Sequence, residues 1–335
     1  MIPRHDYAGQ WLAAQTFDAS TREAVEQRLR LHVYPTLGGK ELRALKPSTV
    51  QAWIRKLDQQ LAPNYVRVIY ANLNTILSAA VDDEEITRNP CRAGSVKPPR
   101  PHKRKVIPWT IEQLDAVRAA LPGRCGAMID VGAGLGMRQG EVFGLSVDDV
   151  DFLRRQVHVR RQVKIVDDTL VFALPKGGKE RDVPLPDTVA LRLSAHLQAF
   201  PPTVVTLPWE TPDGKPVEVR LMFTTGNGTA LARTYFNWSV WKHALREAGV
   251  PDTRDNGMHV LRDTYASALL EDGVSIKALA DYLGHADPGF TLRTYTHLMP
   301  TTEDRARDAI DRALTRADSD TSNGVADSVL TSGER

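Results

Sequence analysis

Apolar residues in the first third of the chain return every three or four positions, the period of one helical face. The clearest run is NYVRVIYANLNTILSAAV, where Val66, Ile69, Leu73, Ile76 and Leu77 share a stripe behind the break at Ala62-Pro63. Ahead of it, TVQAWIRKLDQQL follows a candidate cap at Ser48, and AVEQRLRLHV follows Ser20 and Glu23 at capping-box spacing. Pro35, Gly38 and Gly39 stop the earlier of these two segments. The pattern predicts a helical bundle over residues 1–95.

Residues 96–108, VKPPRPHKRKVIP, carry three prolines, then Lys103, Arg104 and Lys105, then a fourth proline. Proline fixes its own backbone torsion and cannot donate to a helix, so this stretch is expected to be an extended linker. A second unit, residues 109–316, opens with a capping box at Thr110 and Gln113 and continues through the helical patterns TIEQLDAVRAAL and GAMIDVGAGLG. From Gln156 to Pro186 the period shortens to two in QVHVRRQVKIV, TLVFALP and RDVPLP, with turns at Asp167-Asp168 and Gly177-Gly178, which predicts a small antiparallel sheet. DTVALRLSAHLQAF is again helical, Pro201 to about Lys215 reads as a Pro-rich insertion, and helical patterns dominate from Ala232 to Arg316. Near the end of that run Ala306, Ala309, Ile310, Ala313 and Leu314 form a narrow apolar stripe suited to docking on this chain or on a neighbour. Residues 317–335 are rich in Ser, Asp, Thr and Gly and are expected to be disordered. The fold class expected is mainly α with a small antiparallel β-sheet, divided between a helical N-terminal unit and an α/β C-terminal unit.

Composition narrows the function. No apolar run approaches the roughly 18 residues of a membrane span, and MIPRHDYAGQ lacks the apolar stretch of a signal peptide, so no membrane role and a cytoplasmic location are expected. Cys91 and Cys125 have neither metal-ligand spacing nor the numbers for a disulfide framework. The net charge of +2 conceals an asymmetry: residues 1–105 hold 17 Lys and Arg against 10 Asp and Glu, a balance of +7 that leaves −5 for the rest. A basic N-terminal unit suits contact with the phosphates of nucleic acid.

Four segments carry candidate chemistry: GMRQGEVFGL around Arg138, LPKGGKERDVPLP around Lys176, HVLR from His259 to Arg262, and LGH ending at His285 with Tyr295 ten residues on. Singly each is a common surface pattern. Together and in this order they resemble the signature of the tyrosine recombinases, the phage-integrase family that includes the Xer-type resolvases. The resemblance spans residues 5 to 316 and implies a helical core-binding (SAM-like) domain followed by an α/β tyrosine-recombinase catalytic domain. It implies a site-specific recombinase that cleaves and rejoins DNA through a 3′-phosphotyrosyl link, for integration or excision of a phage or mobile element.

The residue types suit that chemistry. Two guanidiniums, Arg138 and Arg262, offer bidentate hydrogen bonds to a phosphate and keep their charge at any working pH. His259 and His285 add hydrogen bonds, and the resemblance gives His259 a share in taking the proton of Tyr295. Only about one tyrosine in a thousand is ionised at neutral pH, so the nucleophile needs such help. The resemblance makes Lys176, rather than Lys179 in the same turn, the general acid for the leaving 5′-oxygen, and sets Glu141 behind Arg138 as an orienting group. It implies no metal or other cofactor, double-stranded DNA sites as substrate, four protomers in the exchanging complex, and accessory bending or directionality factors as further partners. Lys103, Arg104 and Lys105 are expected to run along the DNA as the two units clamp the duplex.

Some features depart from the pattern. Val260 and Asp263 stand where the family usually has an acid and a second histidine, which is expected to leave cleavage intact while changing local packing or hydrogen bonding. Met1 leads almost directly into the core-binding unit, which implies a simpler recombinase or a late start relative to integrases with an arm-binding module. The Gly132 to Gly136 run lacks a third glycine at the spacing that a dinucleotide-binding loop requires. Two rival readings remain: a type IB topoisomerase-like enzyme that relaxes DNA with a similar residue set, and a DNA-binding regulator that does not cut.

Overall fold

The computed structural model describes residues 4–102 and 106–296, with positions 307, 310, 311 and 314. Lys103, Arg104 and Lys105 lie outside the described residues, as do the tail from 317 to 335 and Ala306, Ala309 and Ala313 of the apolar stripe. Ile310 and Leu314 of that stripe are helical and exposed.

The first helices are α1 (Arg4–Ala14), α2 (Ala19–Arg28), α3 (Pro47–Asp58) and α4 (Pro63–Asp82). α2 runs on into a wider-wound stretch, Leu29–Gly38, with Pro35 inside it. The stripe read from the sequence faces inward: Val66, Ile69, Leu73, Ile76 and Leu77 are buried on α4 and join Val33, Val50, Trp53 and Ile54 in one core. Two caps differ from expectation. Asp18, not Ser20, caps α2, its carboxylate accepting from Thr21 N–H at 3.0 Å while Ser20 donates to it at 2.6 Å. An anionic acceptor two residues earlier satisfies the free N–H groups and the helix dipole together, which a hydroxyl does less well. α3 starts at Pro47 with no side-chain cap, so Ser48 lies inside the helix; proline's fixed torsion starts the turn instead.

From Val106 and Trp109 on, a separate core holds α5 (Ile111–Ala120), α6 (Gly123–Leu135), the short α7 (Gln139–Phe143), α8 (Asp187–Ala199), α10 (Lys242–Glu247), α11 (His259–Glu271), α12 (Ile276–Leu283) and α13 (Pro288–Tyr295), with the single exposed turn α9 (Arg233–Tyr235) ahead of α10. The capping box of Thr110 and Gln113 is present on α5. α6 and α11 pack at close range. A Cβ on Gly132 would stand 2.6 Å from Leu261, so the glycines of α6 serve helix packing and not a phosphate loop. Gly136 ends α6 in the left-handed region at φ 62°, which turns the chain toward Arg138.

Among the described residues the strands make three small antiparallel sheets and not one. β1 (Val150–Asp151), β2 (Gln156–Val159) and β5 (Arg181–Pro184) form the first, in the order β1-β2-β5; β3 (Gln162–Val166) and β4 (Thr169–Ala173) form a hairpin. The Pro-rich segment from Pro201 to about Lys215 contains a strand: β6 (Thr203–Pro208) pairs with β7 (Pro216–Leu221), just beyond it, from Thr203↔Leu221 to Pro208↔Pro216. The prolines stand before the first strand (Pro201, Pro202), at the paired ends (Pro208, Pro216) or in the turn between the strands (Pro212), where the missing N–H interrupts no interior rung. Trp109, next after Pro108, is tied down by its N–H to Thr264 at 2.9 Å and by stacking on Trp241 at 5.8 Å. Among the described residues no helix is long and apolar enough to cross a membrane.

Candidate active site

Arg262 sits one turn into α11 with 1 % of its surface exposed. Its guanidinium donates to the carbonyl of Gly136 at 2.6 Å, to that of Leu283, and to His285 Nε2 at 3.0 Å. Both carbonyls belong to helix ends that stop in a left-handed glycine turn, at Gly136 and Gly284, so unpaired C-terminal carbonyls are what fix the guanidinium. A guanidinium has no acceptor, so His285 Nε2 must accept; the ring proton is then on Nδ1, which donates to Thr291 Oγ1 at 2.8 Å. Burial, then the charge of Arg262, pushes the His285 pKa down to about 4. The imidazole is therefore neutral at pH 7. Burial also lowers Arg262, to about 9, where it is still a cation.

Arg138 stands at the head of α7, and its Nη2 reaches the Gly284 carbonyl at 3.5 Å, next to the His285 turn. Glu141, fully buried, accepts from the backbone N–H and the Nη1 of Arg138, each at 2.9 Å. From the other side Arg181 of β5 donates through both terminal nitrogens, at 3.0 and 2.6 Å, and its Nε donates to the Tyr282 carbonyl at 2.7 Å. Burial opposes the Glu141 charge, but Arg181 and then Arg138 overcome it and hold the carboxyl at about 2. Arg181 had no role in the sequence reading. The KGGKER run that contains it was the available signal, but its partner lies 40 residues away.

Tyr295 ends α13 with 2 % of its surface exposed, and its hydroxyl donates to Asp263 Oδ1 at 3.0 Å. Burial and the Asp263 charge raise the phenol pKa, while Arg262 and Arg138 oppose them. Asp263 also faces His259, whose Nε2 is 3.9 Å from the same carboxylate oxygen and whose side chain is 59 % exposed. Asp263 is a second residue that the sequence reading passed over. It was noticed there only as a departure.

Lys176, His259 and Arg138 line a cavity of about 720 Å³, together with Gln139, Gln162 and Arg233. Asp18, Ser20 and Thr21 of the N-terminal unit border the same cavity. The turn carrying Lys176 is not a hairpin turn: it joins β4 to β5, strands of two different sheets. Gly177 and Gly178 make it with φ values of 87° and 70°, and Lys176 is exposed. The structure thus gathers Arg262, hydrogen-bonded to His285, and Arg138, bonded to the Gly284 carbonyl, around one turn, sets Tyr295 and His259 against Asp263, and faces Lys176 onto the cavity that Arg138 shares. Among the described residues no cluster of His, Cys, Asp and Glu is arranged to hold a metal ion.

A helical bundle ahead of an α-rich unit with small antiparallel sheets is the architecture of the tyrosine recombinases, enzymes that cut and rejoin DNA strands. The chain belongs to the phage integrase family: the model of that name matches residues 110–301, and that of the phage integrase central domain matches residues 5–95. A XerC-like tyrosine recombinase of Caldanaerobacter subterraneus subsp. tengcongensis is 28% identical over 285 residues, 79% of this chain and 70% of the relative. The integrase of Mycobacterium phage FRAT1 is 27% identical over 295 residues, 87% of this chain and 83% of its own. Among solved structures, the Tn1549 transposon integrase in complex with transposon right end DNA superposes with a TM-score of 0.76 at 19% identity, covering 93% of this chain and 99% of that one. A lambda integrase dimer bound to a core site superposes at 0.62 with 14% identity, covering 88% and 95%.

Proposed function

We propose that this protein is a site-specific integrase that breaks and rejoins DNA through a 3′-phosphotyrosyl intermediate on Tyr295, in the integration or excision of a phage or mobile element. The observation that carries the reading is a single helical step: Arg262 and Asp263 are neighbours on α11, one bonded into the arginine and histidine group and the other holding the Tyr295 hydroxyl. Clamp and nucleophile are therefore fixed by the same turn. The likeness to integrases whose structures hold DNA supports the choice of substrate.

In this mechanism a scissile phosphate enters beside Arg138 and Arg262, whose preset positions stabilise charge developing on the phosphoryl oxygens. Neutral His285 accepts one N–H of Arg262 on its Nε2 lone pair and so helps to fix the guanidinium. Glu141 holds Arg138 from behind without neutralising the clamp, because it is shared with Arg181. The phenol gives up its proton to a base of the site as its oxygen attacks phosphorus, the bond to the 5′-oxygen breaks, and Lys176 gives that oxygen a proton; rejoining reverses each step. On this reading residues 1–95 are the core-binding unit, 96–108 the linker with Lys103, Arg104 and Lys105 along the duplex, and 109–316 the catalytic unit. Exchange between two sites then requires four protomers.

The test is to incubate the purified protein with nicked half-site DNA from the flanks of its own gene and resolve products on a denaturing gel. The expected result is a protein–DNA adduct that Tyr295→Phe abolishes. Good DNA binding with no adduct from the wild-type protein would favour the non-cutting regulator.

A further inference from the structure

The Tyr295 hydroxyl has a defined acceptor, and it is not a histidine. Its proton points at Asp263 Oδ1 over 3.0 Å, with both side chains shielded from solvent. A nucleophile hydrogen-bonded to a base that is itself contacted by a third group is the arrangement that activates hydroxyls in covalent catalysis. Here the third group is His259, 3.9 Å from the same oxygen and open to the cavity.

We propose that Asp263 is a catalytic residue of this recombinase, the proton acceptor for Tyr295 during cleavage and the proton donor to it during rejoining. The proposal rests on the reading of Tyr295 as the nucleophile. As the phenol oxygen forms its bond to phosphorus and the bond to the 5′-oxygen breaks, the phenol proton passes to Asp263 Oδ1 and the leaving oxygen is protonated by Lys176. In rejoining, the 5′-hydroxyl attacks, its proton goes to Lys176, and the departing phenolate recovers the proton from Asp263. No oxidant or further reactant is needed.

Charge movement favours this assignment. A carboxylate beside a reacting phosphate repels it, and the repulsion ends at the moment the carboxylate takes the proton. The negative charge is transferred from Asp263 to phosphoryl oxygens facing Arg138 and Arg262. Among the described residues, the charged and titratable groups acting on the pair include His259 and Arg262 on α11 and Arg138 at the head of α7, all cationic or able to become so. Together they favour moving anionic charge toward the clamp.

The experiment measures adduct formation on nicked half-site DNA across pH for the wild-type protein, Asp263→Asn, Asp263→His and Tyr295→Phe, with DNA affinity measured alongside. Asparagine keeps an oxygen acceptor for the phenol and cannot take its proton. Asp263→Asn should therefore cleave at least about 100-fold more slowly at unchanged affinity, the scale of general base catalysis. Asp263→His should recover to within about tenfold, with the acid limb of its rate profile displaced upward toward the imidazole range near pH 6.5. A residue that only packs against the phenol would not move that limb. Cleavage by Asp263→Asn at or above the wild-type rate overturns the proposal and makes the carboxylate a place where the phenol is parked. Should Asp263→Asn fail to fold, an acid limb in Asp263→His that matches wild type overturns it equally. A wild-type protein that forms no adduct, or an adduct that survives Tyr295→Phe, defeats the nucleophile assignment first and is recognised separately.

Discussion

Arg262 Nη2 lies 3.0 Å from His285 Nε2, so a buried cation and an imidazole share a hydrogen bond that exists only while the imidazole is neutral. The pH dependence follows with a definite sign. His285 has a pKa of about 4 in the folded protein, pushed down by burial and by Arg262, against about 6.5 in an unfolded chain. Between these values the unfolded state binds a proton that the folded state refuses, so stability falls as pH falls from 6.5 toward 4. Solvent screening of a half-buried group reduces the effect to about 1–2 kcal/mol. Urea titrations at pH 7 and about pH 4.5 should show that loss in the wild-type protein and a smaller one in His285→Gln. Equal losses would mean that the imidazole is not held neutral.

Glu141 should be worth more to stability than any surface ion pair. It is fully buried between Arg138 and Arg181, and removing it strands one nearly buried guanidinium and frees another. Glu141→Ala is expected to cost about 3–5 kcal/mol, the scale of breaking a buried pair from one side. Chemical denaturation with a probe in the catalytic unit, such as Trp241, reads it directly. A loss under about 1 kcal/mol would show that the two arginines find other partners. Because Glu141 is lowered from 4.5 to about 2, this contribution should be fully present above about pH 4.5 and be lost progressively as pH falls from there through about 2.

The sequence made the motif positions visible because their signal is local: Arg138 beside GEV, His259 three before Arg262, His285 behind a leucine and a glycine. The connections among them were not visible. Tyr295 meets Asp263 across 32 residues and Arg181 meets Glu141 across 40, and no periodicity encodes such pairs. Asp263 shows the limit well, since a departure from a family pattern looked incidental until the phenol was found bonded to it. At the level of the fold, the long stripe of α4 was readable because five apolar positions agree. β6 and β7 were not, because proline weighed against strand while the decisive fact, that the prolines stand at the ends of the ladder, belongs to the register. The three separate sheets depend in the same way on pairing and not on alternation.

Arg262→Lys tests whether charge or shape holds the clamp. The native guanidinium reaches Gly136, Leu283 and His285 at once, in one plane. An ammonium keeps the charge but cannot span three acceptors spread across two helix ends. Adduct formation should fall at least about 100-fold, as expected when a preset donor to the reacting phosphate is lost. DNA affinity should stay within a few-fold, since the positive charge is kept and a protein bound along a duplex spreads its affinity over several phosphate contacts. Wild-type cleavage by the lysine variant would remove Arg262 from the clamp.

Lys176 and Lys179 share one turn, and only Lys176 lines the cavity that Arg138 and His259 also face. If Lys176 protonates the leaving 5′-oxygen, its loss should matter only when that oxygen is a poor leaving group. Lys176→Ala is expected to form adduct at least about 100-fold more slowly on ordinary DNA. On DNA whose scissile 5′-oxygen is replaced by sulfur the variant should approach the wild-type rate, because a thiolate leaves without a proton. Lys179→Ala should behave as wild type on both. The two substrates separate proton donation from simple charge: a lysine that only attracts the phosphate would be missed equally with oxygen and with sulfur, and that outcome would return the general acid to another residue.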